Sequence, residues 1–217
     1  MKFRKVIAMI IMALLCLSMP VMADNEPSKG IILIDPGHGG IDGGANSSNG
    51  TIEKSINLAI SLKLKKQLED GGYTAFMTRE EDKELSKKKV EDLTKRCDKK
   101  KETKCDVFIS IHQNKFSQES CYGAQVWYSN NEKSEKIATL IQNSLKEKVD
   151  DNNKRLAKPA KQQYKILRDG YKGACVIVEC GFISNNAEEK KLKSDEHQNK
   201  IVEGIVCGIN RYFEDNK

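Results

Sequence analysis

At 217 residues, 38% hydrophobic and 31% charged, the chain is long enough for one domain with a sizeable core and too short for two full ones. Its 37 Lys+Arg against 31 Asp+Glu give a net charge of +6, and the first 23 residues hold three of the basic side chains and no acidic one, which leaves +3 on the rest. That balance is too mild and too interleaved for a nucleic-acid-binding protein, so the lysine runs at 87–89 and 99–101 read as solvated faces.

Lys2, Arg4 and Lys5 precede an apolar run over 6–21 that closes on Val21-Met22-Ala23. This basic, apolar, small-residue order predicts a secretory signal peptide over 1–23, cut after Ala23. Pro20 interrupts the run, and its length is at the short end for a bilayer span, which argues against an uncleaved anchor. Bulky Leu14 and Leu15 disfavour lipidation at Cys16. Residues 24–29 are a polar lead-in, and a single domain is expected over 30–214.

The aliphatic run Ile31-Ile32-Leu33-Ile34 reads as a buried strand that Asp35-Pro36-Gly37 must end, because proline has no amide donor and glycine permits a tight turn. His38 therefore stands just past a strand end, where open α/β sheets bind ligands. A Gly, Asn and Ser-rich loop follows over 39–50. Ile56, Ile60, Leu64 and Leu68 then recur every four residues, marking an amphipathic helix that stops at Gly71-Gly72 and carries Glu53 in its first turn. A strand is predicted over 73–77, a polar turn at Thr78-Arg79 and Asp82, and a charged surface helix over 86–101. The next strand, 106–111, delivers His112-Gln113-Asn114 and so repeats the opening pattern.

A strand over 124–128 and a helix over 132–149 come next, then an irregular polar segment over 150–161. A strand is predicted over 164–167, ending at Arg168, and a last strand over 175–178 delivers Glu179. Helices over 187–192 and 195–213 close the chain. Six cysteines follow the leader, irregularly spaced and several in apolar runs, which predicts free thiols rather than a disulfide framework. The alternation of strands and helices predicts an α/β fold: one domain, with a mixed, mostly parallel sheet of about six strands flanked by helices on both faces.

Three predicted strands thus end in His38, His112 and Glu179, and a helix begins at Glu53. Strand C-termini share one sheet edge, so these groups can converge. Two imidazoles and one carboxylate are the ligand set of a catalytic zinc with an open position, and the remaining carboxylate is then free for proton transfer. That is the set a metal-assisted hydrolase needs.

The stretches Asp35-Pro36-Gly37-His38-Gly39-Gly40, Glu53, Thr78-Arg79 with Asp82 and Arg96, Ser110-Ile111-His112-Gln113-Asn114, and Val178-Glu179-Cys180-Gly181-Phe182-Ile183-Ser184-Asn185 resemble, in order and spacing, the zinc-dependent N-acetylmuramoyl-L-alanine amidases of type 3. The resemblance covers essentially all of 30–214. It implies that His38, Glu53 and His112 are zinc ligands, that Glu179 is the catalytic glutamate, and that the substrate is the amide between the lactyl group of N-acetylmuramic acid and L-alanine in peptidoglycan. Arg168 and Asn114 are candidate substrate-binding residues. One departure is Cys97-Asp98, where members commonly have Ala-Asn; it lies on a helix away from the chemistry. The chain has neither the helical insertion that blocks some members nor wall-anchoring repeats, and so resembles the spore cortex amidases whose cut prepares muramic-δ-lactam formation. Export to the cell wall or the forespore intermembrane space follows from the leader. A site with short surrounding loops suits a protein partner that activates it or stabilises its zinc. Two other readings use the same residues: a peptidoglycan-binding module without turnover, and a zinc peptidase cutting within the stem peptide.

Overall fold

The computed structural model describes residues 28–215; the expected signal peptide and residues 24–27 of the lead-in lie outside the described residues. The chain forms β1 (Ile31–Pro36), α1 (Glu53–Asp70), β2 (Thr74–Met77), α2 (Lys89–Thr103), β3 (Val107–Asn114), β4 (Gln125–Tyr128), α3 (Glu132–Lys148), β5 (Lys158–Pro159), β6 (Ala174–Phe182), α4 (Asn186–Leu192) and α5 (Asp195–Glu214). One sheet takes the strands in the order β2-β1-β3-β6-β4-β5. β2, β1, β3 and β6 run parallel, β4 is antiparallel to β6, and β5 pairs parallel with β4. This is the mixed, mostly parallel α/β sheet expected from the sequence.

β3 and β6 lie at the centre, and their near-continuous apolar runs follow from burial on both faces. On one face Ile32, Ile34, Ile109, Ile111, Val176 and Val178 pack under α1, α3 and α5 in the larger core. On the other, Leu33, Phe108, Cys175 and Ile177 meet Cys97 of α2 together with Ile166 and Leu167. Alternation along the strands therefore decides what reaches the second face beyond its apolar patch: Asp35 on β1, Ser110 and His112 on β3, and Glu179 on β6. These polar side chains lie toward the C-terminal ends of the parallel strands.

Helix starts are fixed by side chains that accept otherwise unpaired amides. Asn131 accepts from Ser134 at α3, Asn185 from Ala187 and Glu188 at α4, and Ser194 from His197 at α5. α5 runs close against α3 because Gly208 faces the backbone of Ile141, where a Cβ would come within 2.6 Å of its Cα. All six cysteines among the described residues are free thiols.

Two expectations are corrected. Residues 164–167 are not a strand: Lys165–Leu167 is a turn of 3-10 helix that buries Ile166 and Leu167 in the second core. The Ile166 carbonyl that a strand would present to a neighbour is taken instead by the buried ammonium of Lys100, at 2.7 Å. The sixth strand is the two-residue β5, within the segment read as irregular, where the sheet edge tolerates Pro159. In addition, α2 begins at Lys89 rather than 86, because the Asp92 carboxylate accepts the amides of Leu85 and Ser86 and holds them outside the helix.

Candidate active site

The chain leaves β1 through Pro36 and Gly37 and places His38 in the left-handed region, φ 62°. A histidine there is strained by about 1 kcal/mol or more, and the conformation persists because two buried arginines grip the carbonyls around it. Arg79 donates to the Pro36 and Gly37 carbonyls through Nε (3.0 Å) and Nη2 (3.1 Å). Arg96 donates to the Pro36 carbonyl (3.0 Å) and the His38 carbonyl (2.8 Å). Arg96 is itself neutralised by the Asp35 carboxylate at 2.7 Å, which also accepts from Thr78 and Ser110. Burial alone would raise the Asp35 carboxyl, but the Arg96 charge and the two hydroxyls hold it below its usual range. Thr78, Arg79 and Arg96, prominent in the sequence motif, are thus the frame of the His38 loop.

The glycine-rich loop then folds back on itself and delivers the start of α1. Its side of the site is anchored by the buried Glu189 carboxylate of α4, which accepts from Ser47 (2.9 Å), Asn49 (2.6 Å) and Thr51. Glu53 is buried at the helix start, and its oxygens accept the amides of Ala45 (2.7 Å) and Gln113 (3.1 Å) and the side chain of Asn57 (3.2 Å). Two imidazoles face the same carboxylate. Nδ1 of His112 lies 2.9 Å from Oε1, and Nε2 of His38 lies 3.3 Å from Oε2. Although burial works to raise it, the hydrogen bonds from His112 and His38 hold the Glu53 carboxyl far below the carboxylate range.

Glu179 stands beside this cluster. Its Cα pairs with that of His112 across β3 and β6, on strands ~4.8 Å apart. Burial pushes the Glu179 carboxyl up to about 7, against the pull of the His112 charge and with the push of Glu53. Among the described residues its Oε2 is buried without a hydrogen-bond partner. A carboxyl near 7 with one uncommitted oxygen is suited to taking up and giving back a proton.

The donor atoms of His38, Glu53 and His112 lie within 4.8 Å of one another. Two imidazoles and a carboxylate held in its deprotonated form fit a divalent transition metal, and the set leaves a coordination position open. The surroundings leave no slack: a Cβ on Gly37 would fall 2.3 Å from the His112 ring, and one on Gly44 would collide with both His38 and Glu53. His38 has its other nitrogen, Nδ1, 3.0 Å from the Asp42 carboxylate, an ion-pair contact out of line for a hydrogen bond. Carboxylates behind ligating imidazoles commonly orient them.

Of the sequence candidates, His38, Glu53, His112 and Glu179 come together. Asn114 ends β3 two residues past His112, and its carbonyl accepts from Ile183. Arg168 is not brought to the cluster. It is exposed and lines a hollow with Ser129, Asn131 and Lys172 near the start of β6, whereas Glu179 lies ~17 Å further along that strand. Its assignment assumed a strand that would deliver it to the C-terminal edge, and the 3-10 turn does not. Asp42 was missed; a carboxylate four residues after a candidate ligand, in a glycine-rich loop, was the available signal.

A sequence profile of the N-acetylmuramoyl-L-alanine amidase family matches residues 32–211. The chain is 34% identical over 192 residues to the germination-specific N-acetylmuramoyl-L-alanine amidase of Bacillus subtilis (strain 168), with 84% of this chain and 79% of that protein covered. It is 32% identical to a probable cell wall amidase, LytH, of Staphylococcus epidermidis, spanning 87% of this chain and 60% of that protein. The solved structure of the CwlD amidase from Clostridioides difficile in complex with the GerS lipoprotein superposes with a TM-score of 0.82 at 38% identity, over 86% of this chain and 99% of that one. The match runs from β1 to the last helix and takes in every residue of the His38, Glu53, His112 and Glu179 cluster, so the chain belongs to the N-acetylmuramoyl-L-alanine amidase family and is a hydrolase of peptidoglycan.

Proposed function

We propose that this amidase is a zinc enzyme, that His38, Glu53 and His112 hold the ion, and that Glu179 moves the proton. The bond cut is the amide between the lactyl group of N-acetylmuramic acid and L-alanine of the stem peptide. A divalent ion bound by these three side chains supplies Lewis-acid polarisation of the amide carbonyl. Glu179 accepts a proton from the attacking water and returns it to the departing alanine nitrogen. The buried Glu53, braced by two backbone amides, keeps the imidazoles facing one point. What carries the reading is the lateral pairing of Glu179 with His112, which puts an uncommitted carboxyl, raised to about 7, beside the three ligand candidates.

Export by the leader over 1–23 and action on spore cortex, in preparation for muramic-δ-lactam formation, belong to the same proposal. Support for the cortex setting is the likeness to a germination-specific amidase and to the CwlD amidase. The latter was solved with a lipoprotein bound, which supports a protein partner for this chain as well.

Mass spectrometry of digests tests the bond assignment. The zinc-loaded protein, alone and with candidate partners, is incubated with purified cortex peptidoglycan. The expected products are stem peptides with a free L-alanine amino terminus and glycan strands bearing unsubstituted lactyl groups. Products cut within the stem peptide, or no products in any arm, contradict the proposal.

A further inference from the structure

A second hollow, of about 410 Å³, opens on the far side of Glu179 from the metal ligands. Part of its lining is Gln125, whose Cα is the antiparallel partner of Glu179 across β4 and β6. Directly opposed residues project from the same face with Cβ atoms ~5 Å apart. The hollow therefore begins one strand across from Glu179, at the residue paired with it.

Its charge is of one sign. Lys154, Arg155 and Lys158 line it, and no carboxylate does. The hollow on the other side of the site, lined by His38 and His112, mixes Asp42, Glu84 and Asp92 with Lys87 and Lys89. Arg155 differs from an ordinary surface cation because it is held in place from three sides. Its guanidinium lies over the Phe182 ring, 4.5 Å from the centroid, and its Nε donates to the Tyr122 carbonyl at 2.8 Å. Its own backbone amide donates to the buried Asn153, which in turn donates to the Ala124 carbonyl. The Glu188 carboxylate, which feels the Arg155 charge, is committed to the amides of Gly123 and Phe182. Among the described residues the two Nη groups of Arg155 make no hydrogen bond, so a bidentate donor fork remains available for a carboxylate.

Chemistry then fixes the direction of the substrate. If Glu179 returns its proton to the leaving nitrogen, as proposed above, that nitrogen must lie on the Glu179 side, and the stem peptide attached to it continues into the basic hollow. The glycan strand occupies the opposite side. In the stem peptide the residue after L-alanine is a glutamate joined through its γ-carboxyl, which leaves an α-carboxylate free. Two extended residues reach ~7 Å, and Phe182 lies about 10 Å past Glu179 along β6. A carboxylate on the second stem residue thus comes within reach of the guanidinium above Phe182.

We infer that Arg155, with Lys154 and Lys158 around it, is a specificity-determining residue that takes the free carboxylate of the second stem residue. The inference rests on the amidase reading with Glu179 as proton donor. Two muropeptides that differ only in whether that carboxylate is free or amidated separate the two. The wild-type zinc enzyme is expected to prefer the free acid by about 10-fold or more in kcat/KM, the size expected of a charge-assisted hydrogen bond. Arg155→Gln loses that preference: kcat/KM falls for the acid, mainly through KM, and stays within about twofold for the amide. Cleavage of the amide also shows that the variant is folded. Arg155→Lys keeps part of the preference, and Lys158→Gln, exposed, reduces it less. Equal cleavage of both muropeptides by the wild type, or equal losses on both in Arg155→Gln, overturns the inference while leaving the amidase reading intact. Cleavage of neither by the wild type overturns the amidase reading and the inference with it.

Discussion

Glu179 and His112 stand side by side, their Cα atoms paired in the parallel register of β3 and β6. One strand therefore positions a metal-ligand candidate and its neighbour positions the candidate proton carrier, with no loop between them. Rigid sheet geometry sets their separation. The metal cluster draws on the His38 loop, the start of α1 and β3, while Glu179 comes from β6.

The Asp42 carboxylate lies 3.0 Å from Nδ1 of His38, is 40% exposed, and also accepts from the Gly44 amide and pairs with Lys89. Asp42→Ala is expected to weaken zinc binding by about 10- to 100-fold, the usual cost of losing a carboxylate behind a ligating histidine, with little change in thermal stability. Competition against a chromophoric chelator reads the affinity. An unchanged zinc affinity would mean that Asp42 does not orient His38.

Arg96 and Asp35 form a buried pair, 3% and 1% exposed, that also holds the carbonyls of Pro36 and His38. Arg96→Met leaves Asp35 buried without its cation and is expected to cost about 3–5 kcal/mol at neutral pH. The Asp35 carboxyl is lowered on folding, so the stability it contributes is complete above its unfolded value of ~3.9 and is lost as pH falls through the folded value. Urea unfolding across pH 7 to 3 should therefore show the gap between wild type and variant largest near neutrality and narrowing in acid. A gap that widens as pH falls contradicts this account of the pair.

Much of this was legible in the sequence because the chemistry sits where patterns are strongest. The aliphatic runs of β1, β3 and β6 announce buried parallel strands, and His38, His112 and Glu179 stand at or just past the ends of those runs. Glu53 was harder, since a carboxylate in the first turn of a helix has an ordinary role there; only the pairing of His38 and His112 gave it another. The misread segment was 158–167. Its apolar residues Tyr164, Ile166 and Leu167 look like a strand, yet what decides their conformation is Lys100, buried from a different helix against the Ile166 carbonyl and Asp169. A lysine within a charged run gives no local sign of being fully buried. Arg155 was invisible for a similar reason: its partners Phe182 and Tyr122 are brought to it only in three dimensions.

Zinc content and turnover measured together on Glu179→Gln test the central claim most directly. If His38, Glu53 and His112 hold the ion and Glu179 moves the proton, the variant binds one zinc per chain, as the wild type does, and its turnover of peptidoglycan falls by about 10²- to 10⁴-fold. A Glu179→Gln protein that carries its zinc and cleaves at the wild-type rate would contradict the account.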